Sequence, residues 1–307
     1  MSAYLHAFGA YLPERVVANA ELAERVGKAS EWIESVSGIQ ERRWAAPEET
    51  AAGMGVAAAE ECLRKAGVSA NTLGMLIVAS GSGARGFPGP AAEVAARLGM
   101  DSAPALDLPI ASAGSLFGLA LAMRLAETQG DILVVAAEKM SALIDNDPNT
   151  AILFGDGAGA ALVSARPGRL RMLDAVLHTD GQSREALAFD GMGPLKMNGL
   201  TVILQAARKI PASISEVLGR QNISAQQVAV FLLHQANLNL LLRVAKSLDV
   251  APEKVFTNVQ RYGNTSSASM LIAASEWSET DVEPGPVVFS AFGAGFHWGA
   301  IVADSTA

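Results

Sequence analysis

Residues 68–80 read VSANTLGMLIVAS and residues 223–235 read ISAQQVAVFLLHQ, and the two lie over one another position for position without a gap. Each follows a helical pattern, carries Ser-Ala at a turn that starts a helix, and ends in a continuous apolar run of strand character. Downstream, LGMDSAPALDLPIASAGS (98–115) and LDVAPEKVFTNVQRYGNTSS (248–267) correspond more loosely: helix end, short link, strand, then a joint of small residues. The repeat predicts two similar halves, residues 1–167 and 168–307, joined near SARPGRL (164–170). A single site between two such halves draws residues from both.

The remaining pattern agrees. Apolar runs ILVVAA (132–137), GAALV (159–163) and PVVFSAF (286–292) alternate with helical periodicity near 51–66, 90–98, 113–129, 201–219 and 236–248. Continuous apolar strands between helices place the chain in the α/β class, with strands buried on both faces. Half of the 307 residues are hydrophobic and 18% are charged, enough for a large core. The net charge of -8 argues against a nucleic-acid groove. The one cysteine, Cys62, excludes an intrachain disulfide framework and a cysteine-based zinc site. No histidine–carboxylate cluster has ligand spacing, so no metal is expected. Neither a signal peptide nor an apolar run of about 20 residues is present, and the expectation is a cytosolic protein with no membrane contact.

Candidate chemistry gathers at the ends of strands. In DLPIASAGSLFGLALAM (107–123) a strand meets an apolar helix at Ser112. The free N–H groups and dipole of a helix N-terminus favour negative charge there, so Ser112 is either a nucleophile or a cap. His234 ends a buried strand in FLLHQANLNLL (231–241), where α/β proteins place functional groups. In RYGNTSSASM (261–270), Gly263 permits a sharp turn and Asn264 offers an amide. Alone that segment is a helix cap, but it falls at the repeat's counterpart of the Ser112 joint. FGDGAGAALV (154–163) reads as a tight turn entering a strand, and FGAGFHWGAIV (292–302) as a hairpin bringing backbone N–H groups near a site. GSGARG (81–86) matches the dinucleotide fingerprint G-x-G-x-x-G. Pro88 and Pro90 keep a helix from opening on its third glycine, so no dinucleotide is expected.

Taken together, EWIESVSGIQERRW (31–44), FPGPAAEVAARLG (87–99), ASAGS (111–115), FGDGAGA (154–160), HQAN (234–237), YGNTSSAS (262–269) and FGAGFHWGA (292–300) resemble the β-ketoacyl-acyl-carrier-protein synthase III family, in family order and spacing. The resemblance spans essentially the whole chain. It implies the thiolase fold, a duplicated αβαβα layering, and so accounts for the repeat. It implies an acyltransferase that takes an acyl group from a coenzyme A or carrier-protein thioester onto a cysteine and condenses it with a malonyl-type unit. Histidine and asparagine stabilise the enolate, and no cofactor is tightly bound. His234 and Asn264 match those two residues, the backbone N–H groups of Ser112 and Ala294 match the oxyanion hole, and Trp32, Phe87 and Phe154 match substrate-binding positions. Phe87 lies in the loop that, in relatives, walls the partner's pocket, which implies a homodimer.

The departures are specific. Ser112 stands at the cysteine position and needs a base, for which His234 is the evident choice. An oxygen ester on Ser112 has a different leaving group from a thioester, which favours an alcohol or amine acceptor. Val36, Pro148 and Asn239 replace arginines that grip the donor or its carrier, leaving Arg42, Arg43, Arg243 and Lys246 as phosphate contacts. His297, where the family has threonine, either lines the site or packs beside Trp298. Two alternatives stay open: a decarboxylase or non-catalytic partner of an active paralogue, and a serine introduced in place of a natural cysteine.

Overall fold

The computed structural model describes residues 3–83, 87–281 and 283–305. The last three residues of GSGARG, 84–86, lie outside them. The main sheet runs through nine strands: β1 (Ala3–Tyr11), β2 (Met75–Ala79), β3 (Ala105–Leu108), β4 (Ile132–Lys139), β5 (Asp156–Ser164), β6 (Leu170–Thr179), β7 (Val230–Leu233), β8 (Pro286–Gly293) and β9 (His297–Ser305). Their spatial order is β7-β8-β9-β6-β1-β5-β4-β2-β3.

That order is two matching runs meeting at β6 and β1. On one side β2 is parallel to both β3 and β4, β4 is antiparallel to β5, and β5 is antiparallel to β1. On the other, β7 is parallel to β8, β8 is antiparallel to β9, and β9 is antiparallel to β6. The place of β3 is taken there by a single parallel bridge, Phe231 to Val255. The runs join by three antiparallel pairs, Ala3 with Met172, Tyr4 with Arg171 and Leu5 with Leu170. The repeated segments of the sequence thus occupy equivalent places.

Helices α1 (Ala51–Ala66), α2 (Pro90–Arg97), α3 (Gly114–Gln129), α4 (Gly199–Arg220), α5 (Leu238–Ser247) and α6 (Ser269–Trp277) complete five layers. The largest apolar cluster joins α3 and α6 to strands of both halves. A second lies under α1 and α2, and a third under α4 and α5. Both faces of the central strands are therefore covered, which explains their unbroken apolar runs. The small residues of β5 let α6 approach closely: a Cβ on Gly159 would stand 2.6 Å from the Leu271 Cβ. His6 interrupts the apolar residues of β1 (AYLHAFGAY), and Arg171, Asp174 and His178 interrupt those of β6 (LRMLDAVLHT), so neither reads as one unbroken apolar run.

Candidate active site

Ser112 sits between β3 and α3 with φ of 64°, in the left-handed region. For serine this conformation is unfavourable by about 1–2 kcal/mol, so its surroundings must hold it. Its N–H donates to the Ser266 Oγ at 3.0 Å, and the Ala113 N–H donates to the Ala111 carbonyl at 2.8 Å. Gly293, closing β8, leaves room for this backbone: a Cβ there would meet the Ala111 carbonyl oxygen at 2.1 Å. α3 starts at Gly114, so the hydroxyl faces the positive end of a sixteen-residue helix. At the equivalent joint of the second half, Ser266 is also left-handed, with φ of 49°.

His234 leaves the end of β7, its N–H bonded to the Ser290 carbonyl of β8 at 2.9 Å. Its Nδ1 lies 2.6 Å from the Ser269 Oγ, which also accepts the Gln235 N–H at 3.0 Å. Burial pushes the imidazole pKa down to about 4, partly opposed by the Ser266 backbone carbonyl. The ring is therefore neutral at physiological pH, with one of its two nitrogens unprotonated. Asn264 accepts the Ser266 N–H on Oδ1 at 2.9 Å, which fixes the amide and leaves the Nδ2 end for a ligand oxygen. Its backbone is tied to the FGDG turn: the Asn264 N–H donates to the Leu153 carbonyl and the Gly155 N–H to the Asn264 carbonyl. These bonds bring the two halves together at the site.

Ser112, His234, Asn264, Ala294 and Phe154 line one cavity of about 90 Å³. Its other walls are almost entirely apolar and come from both halves, among them Leu143, Leu195, Val202, Leu240 and Phe292. Neutral imidazole, amide and helix N-terminus around one hydroxyl can take up its proton and stabilise negative charge on a nearby carbonyl oxygen.

Beneath the site lies a carboxylate that the sequence reading did not single out. Glu138, next to last in β4, is fully buried. It accepts from the Gly81 and Ser82 N–H groups at 3.0 Å each and from the hydroxyls of Ser82 (2.5 Å), Ser266 (3.0 Å) and Ser267 (2.7 Å). The Ser266 hydroxyl thus gives its proton to Glu138 while accepting the Ser112 N–H, linking a buried charge to the nucleophile position. The available signal was an acid inside the apolar run ILVVAAEKM, since a buried carboxylate must find donors. Ser266 and Ser269, read only as helix-cap residues, hold Ser112 and His234.

Other expected contacts fall elsewhere. Trp32 and Phe87 do not line the cavity in this chain. Lys28 lies over the Trp32 ring, while Phe87 is 91% exposed. Arg42 is fully buried and spends its guanidinium on Val17, Asn19 and Ile152, so it is no phosphate contact. Arg43 points instead to the Pro13 and Glu14 carbonyls. His297 bonds Thr179 and meets the Phe117 ring edge-on, and it is His178 that stacks on Trp298. Cys62 cannot stand in for a missing thiol, because burial pushes it up to about 12 and its Sγ faces the Ala7 carbonyl. Among the described residues no cluster of three or more His, Cys, Asp or Glu is arranged to hold a metal ion. No helix among them is long and apolar enough to cross a membrane.

Residues 106–181 match the family described as 3-oxoacyl-[acyl-carrier-protein (ACP)] synthase III, and residues 218–304 match its C-terminal region. The beta-ketoacyl-[acyl-carrier-protein] synthase III of Oleidesulfovibrio alaskensis is 35% identical over 97% of this chain and 98% of its own. The chain belongs to this family. Among solved structures, 3-oxoacyl-[acyl-carrier-protein] synthase III from Aquifex aeolicus VF5 superposes with a TM-score of 0.95 at 34% identity, covering 98% of this chain and 99% of that one. The priming beta-ketosynthase of the R1128 polyketide pathway superposes at 0.91 with 32% identity, covering 99% and 96%. The synthase III reading of the sequence, its duplicated thiolase fold and its acyltransferase class therefore stand.

Proposed function

We propose that this synthase III takes an acyl group from a coenzyme A or carrier-protein thioester onto the Oγ of Ser112. The observation that carries this reading is the convergence of Ser112, His234 and Asn264 from the two halves on one apolar cavity, with Ser112 held left-handed at a helix N-terminus. As Oγ attacks the thioester carbon, the neutral His234 ring takes its proton and the carbon–sulfur bond breaks, releasing the thiol with that proton. The carbonyl oxygen, negative in the tetrahedral intermediate, sits against the N–H groups of Ala294 and Ser112, with the Ser112 N–H turning from Ser266 to it. Asn264 orients the second substrate. No tightly bound cofactor is needed, since the thioester is itself the activated substrate.

Trp32 and Phe154 are the proposed contacts along the pantetheine arm. With Arg42 withdrawn into the core, Arg243 and Lys246, both exposed on α5, are the cations left for the donor's phosphates. A homodimer is supported by Phe87 and by the exposed edge strand β3, where Leu106 is solvent-facing. In that dimer Phe87 walls the partner's acyl pocket. We place the protein in the cytosol and divide its halves at residues 167 and 168.

The test is intact-protein mass spectrometry after incubation with a panel of acyl-coenzyme A donors. One acyl mass on the native chain, absent from Ser112→Ala, is expected. Labelling of Ser112→Cys alone would show an intact pocket whose serine does not react. No label on either would refute the acyltransfer reading of this site.

A further inference from the structure

Resting on that acyl-serine, we infer that the acyl group passes from Ser112 to the hydroxyl of an uncharged, largely apolar alcohol, and not to the carbon of a decarboxylated malonyl unit. The first support is the attacking atom. Oxygen donates its lone pair into an acyl carbonyl more fully than sulfur does, so a serine ester is a poorer electrophile toward a carbon enolate than a cysteine thioester. Exchange between two oxygen esters is nearly thermoneutral, so transfer to an alcohol does not suffer in the same way. The departing alkoxide needs a proton as it leaves, whereas a thiolate does not.

The second support is the cavity wall. Among the described residues its polar side chains are Ser112, Ser266, His234 and Asn264, and no Lys, Arg, Asp or Glu lines it. An uncharged acceptor enters such a wall without a counter-ion.

The step closes without an outside reagent. With Nδ1 held by Ser269, His234 presents Nε2 and takes the alcohol's proton as its oxygen bonds to the acyl carbon. The tetrahedral intermediate collapses by breaking the bond from that carbon to the Ser112 Oγ. The same ring returns the proton to Oγ, leaving free serine and a new ester.

The acetyl-serine enzyme is prepared with acetyl-coenzyme A, desalted, and challenged in parallel with buffer, malonyl-loaded acyl carrier protein, and the alcohols from 1-propanol to 1-octanol. Ser112→Cys is treated alike. Loss of the adduct is followed by intact mass and the products by liquid chromatography. Alcohols should discharge the acetyl-serine at least tenfold faster than buffer, faster as the chain lengthens, and give alkyl acetates. The malonyl carrier should do no better than buffer on serine yet discharge the cysteine adduct. Discharge of acetyl-serine by the malonyl carrier as fast as acetyl-cysteine, with an acetoacetyl product, overturns the inference. So does a series in which no alcohol outpaces buffer. If no acetyl-serine ever forms, the acyl-enzyme reading itself fails, and this inference with it.

Discussion

Gly293→Ala sets one methyl group against the backbone that carries the nucleophile. The added Cβ would lie 2.1 Å from the Ala111 carbonyl oxygen, 2.6 Å from the Ala113 nitrogen and 3.0 Å from the Ser112 Cβ. Gly293 has φ of -156°, extended backbone that alanine adopts freely, so the effect is steric alone. Its first two neighbours are main-chain atoms on either side of Ser112 and cannot rotate away. Reaching an ordinary carbon–oxygen contact requires β8 and the Ser112 turn to separate by roughly 1 Å, and overpacking of this kind destabilises by about 1–3 kcal/mol. Displacement of a reacting group by about 1 Å slows the reaction about 100-fold. Single-turnover acylation, followed by intact mass over time, should therefore fall by about two orders of magnitude while the chain stays folded. Wild-type acylation by a Gly293→Ala protein of unchanged Tm would refute the idea that β8 braces the nucleophile turn.

Two further outcomes follow from the buried groups. Glu138→Gln keeps the shape but sets an NH2 among donors and removes the charge, so unfolding in urea should show a loss of about 3–5 kcal/mol, with slower acylation because Ser266 no longer holds Ser112; a loss below about 1 kcal/mol would contradict the donor cage. For His234, the folded pKa of about 4 lies below the unfolded value of 6.5. Between those values the unfolded chain binds a proton that the folded chain does not, so stability falls as pH drops through that window and its decline ends near pH 4. The full difference is about 3 kcal/mol, measurable by denaturant titration across pH and absent from His234→Ala; acylation should show no inflection near 6.5.

Much of this arrangement was legible in the sequence because the repeat and the apolar runs are local patterns. The ungapped match of 68–80 with 223–235 placed β2 and β7 at equivalent sites, and the joints after the following strands located Ser112 and Asn264. What stayed hidden depends on contacts between distant segments. Glu138 looks like the polar end of a strand until the 80–82 turn and the 266–267 turn close over it from opposite halves. Arg42 and Arg43 look interchangeable in ERRW. In the short strand Glu41–Arg43 successive side chains alternate, so Arg42 turns inward and Arg43 outward. His297 and Trp298 are neighbours in sequence, yet the same alternation sends one ring to Phe117 and the other to His178.

The central claim is that Ser112 carries the acyl group, and release of thiol tests it most directly. Mixed with excess acyl-coenzyme A and no acceptor, the native protein should release a rapid burst of one thiol per chain, followed by slow turnover. The burst should vanish in Ser112→Ala. A burst that survives that substitution, or a native protein that shows none with any donor, would contradict the account.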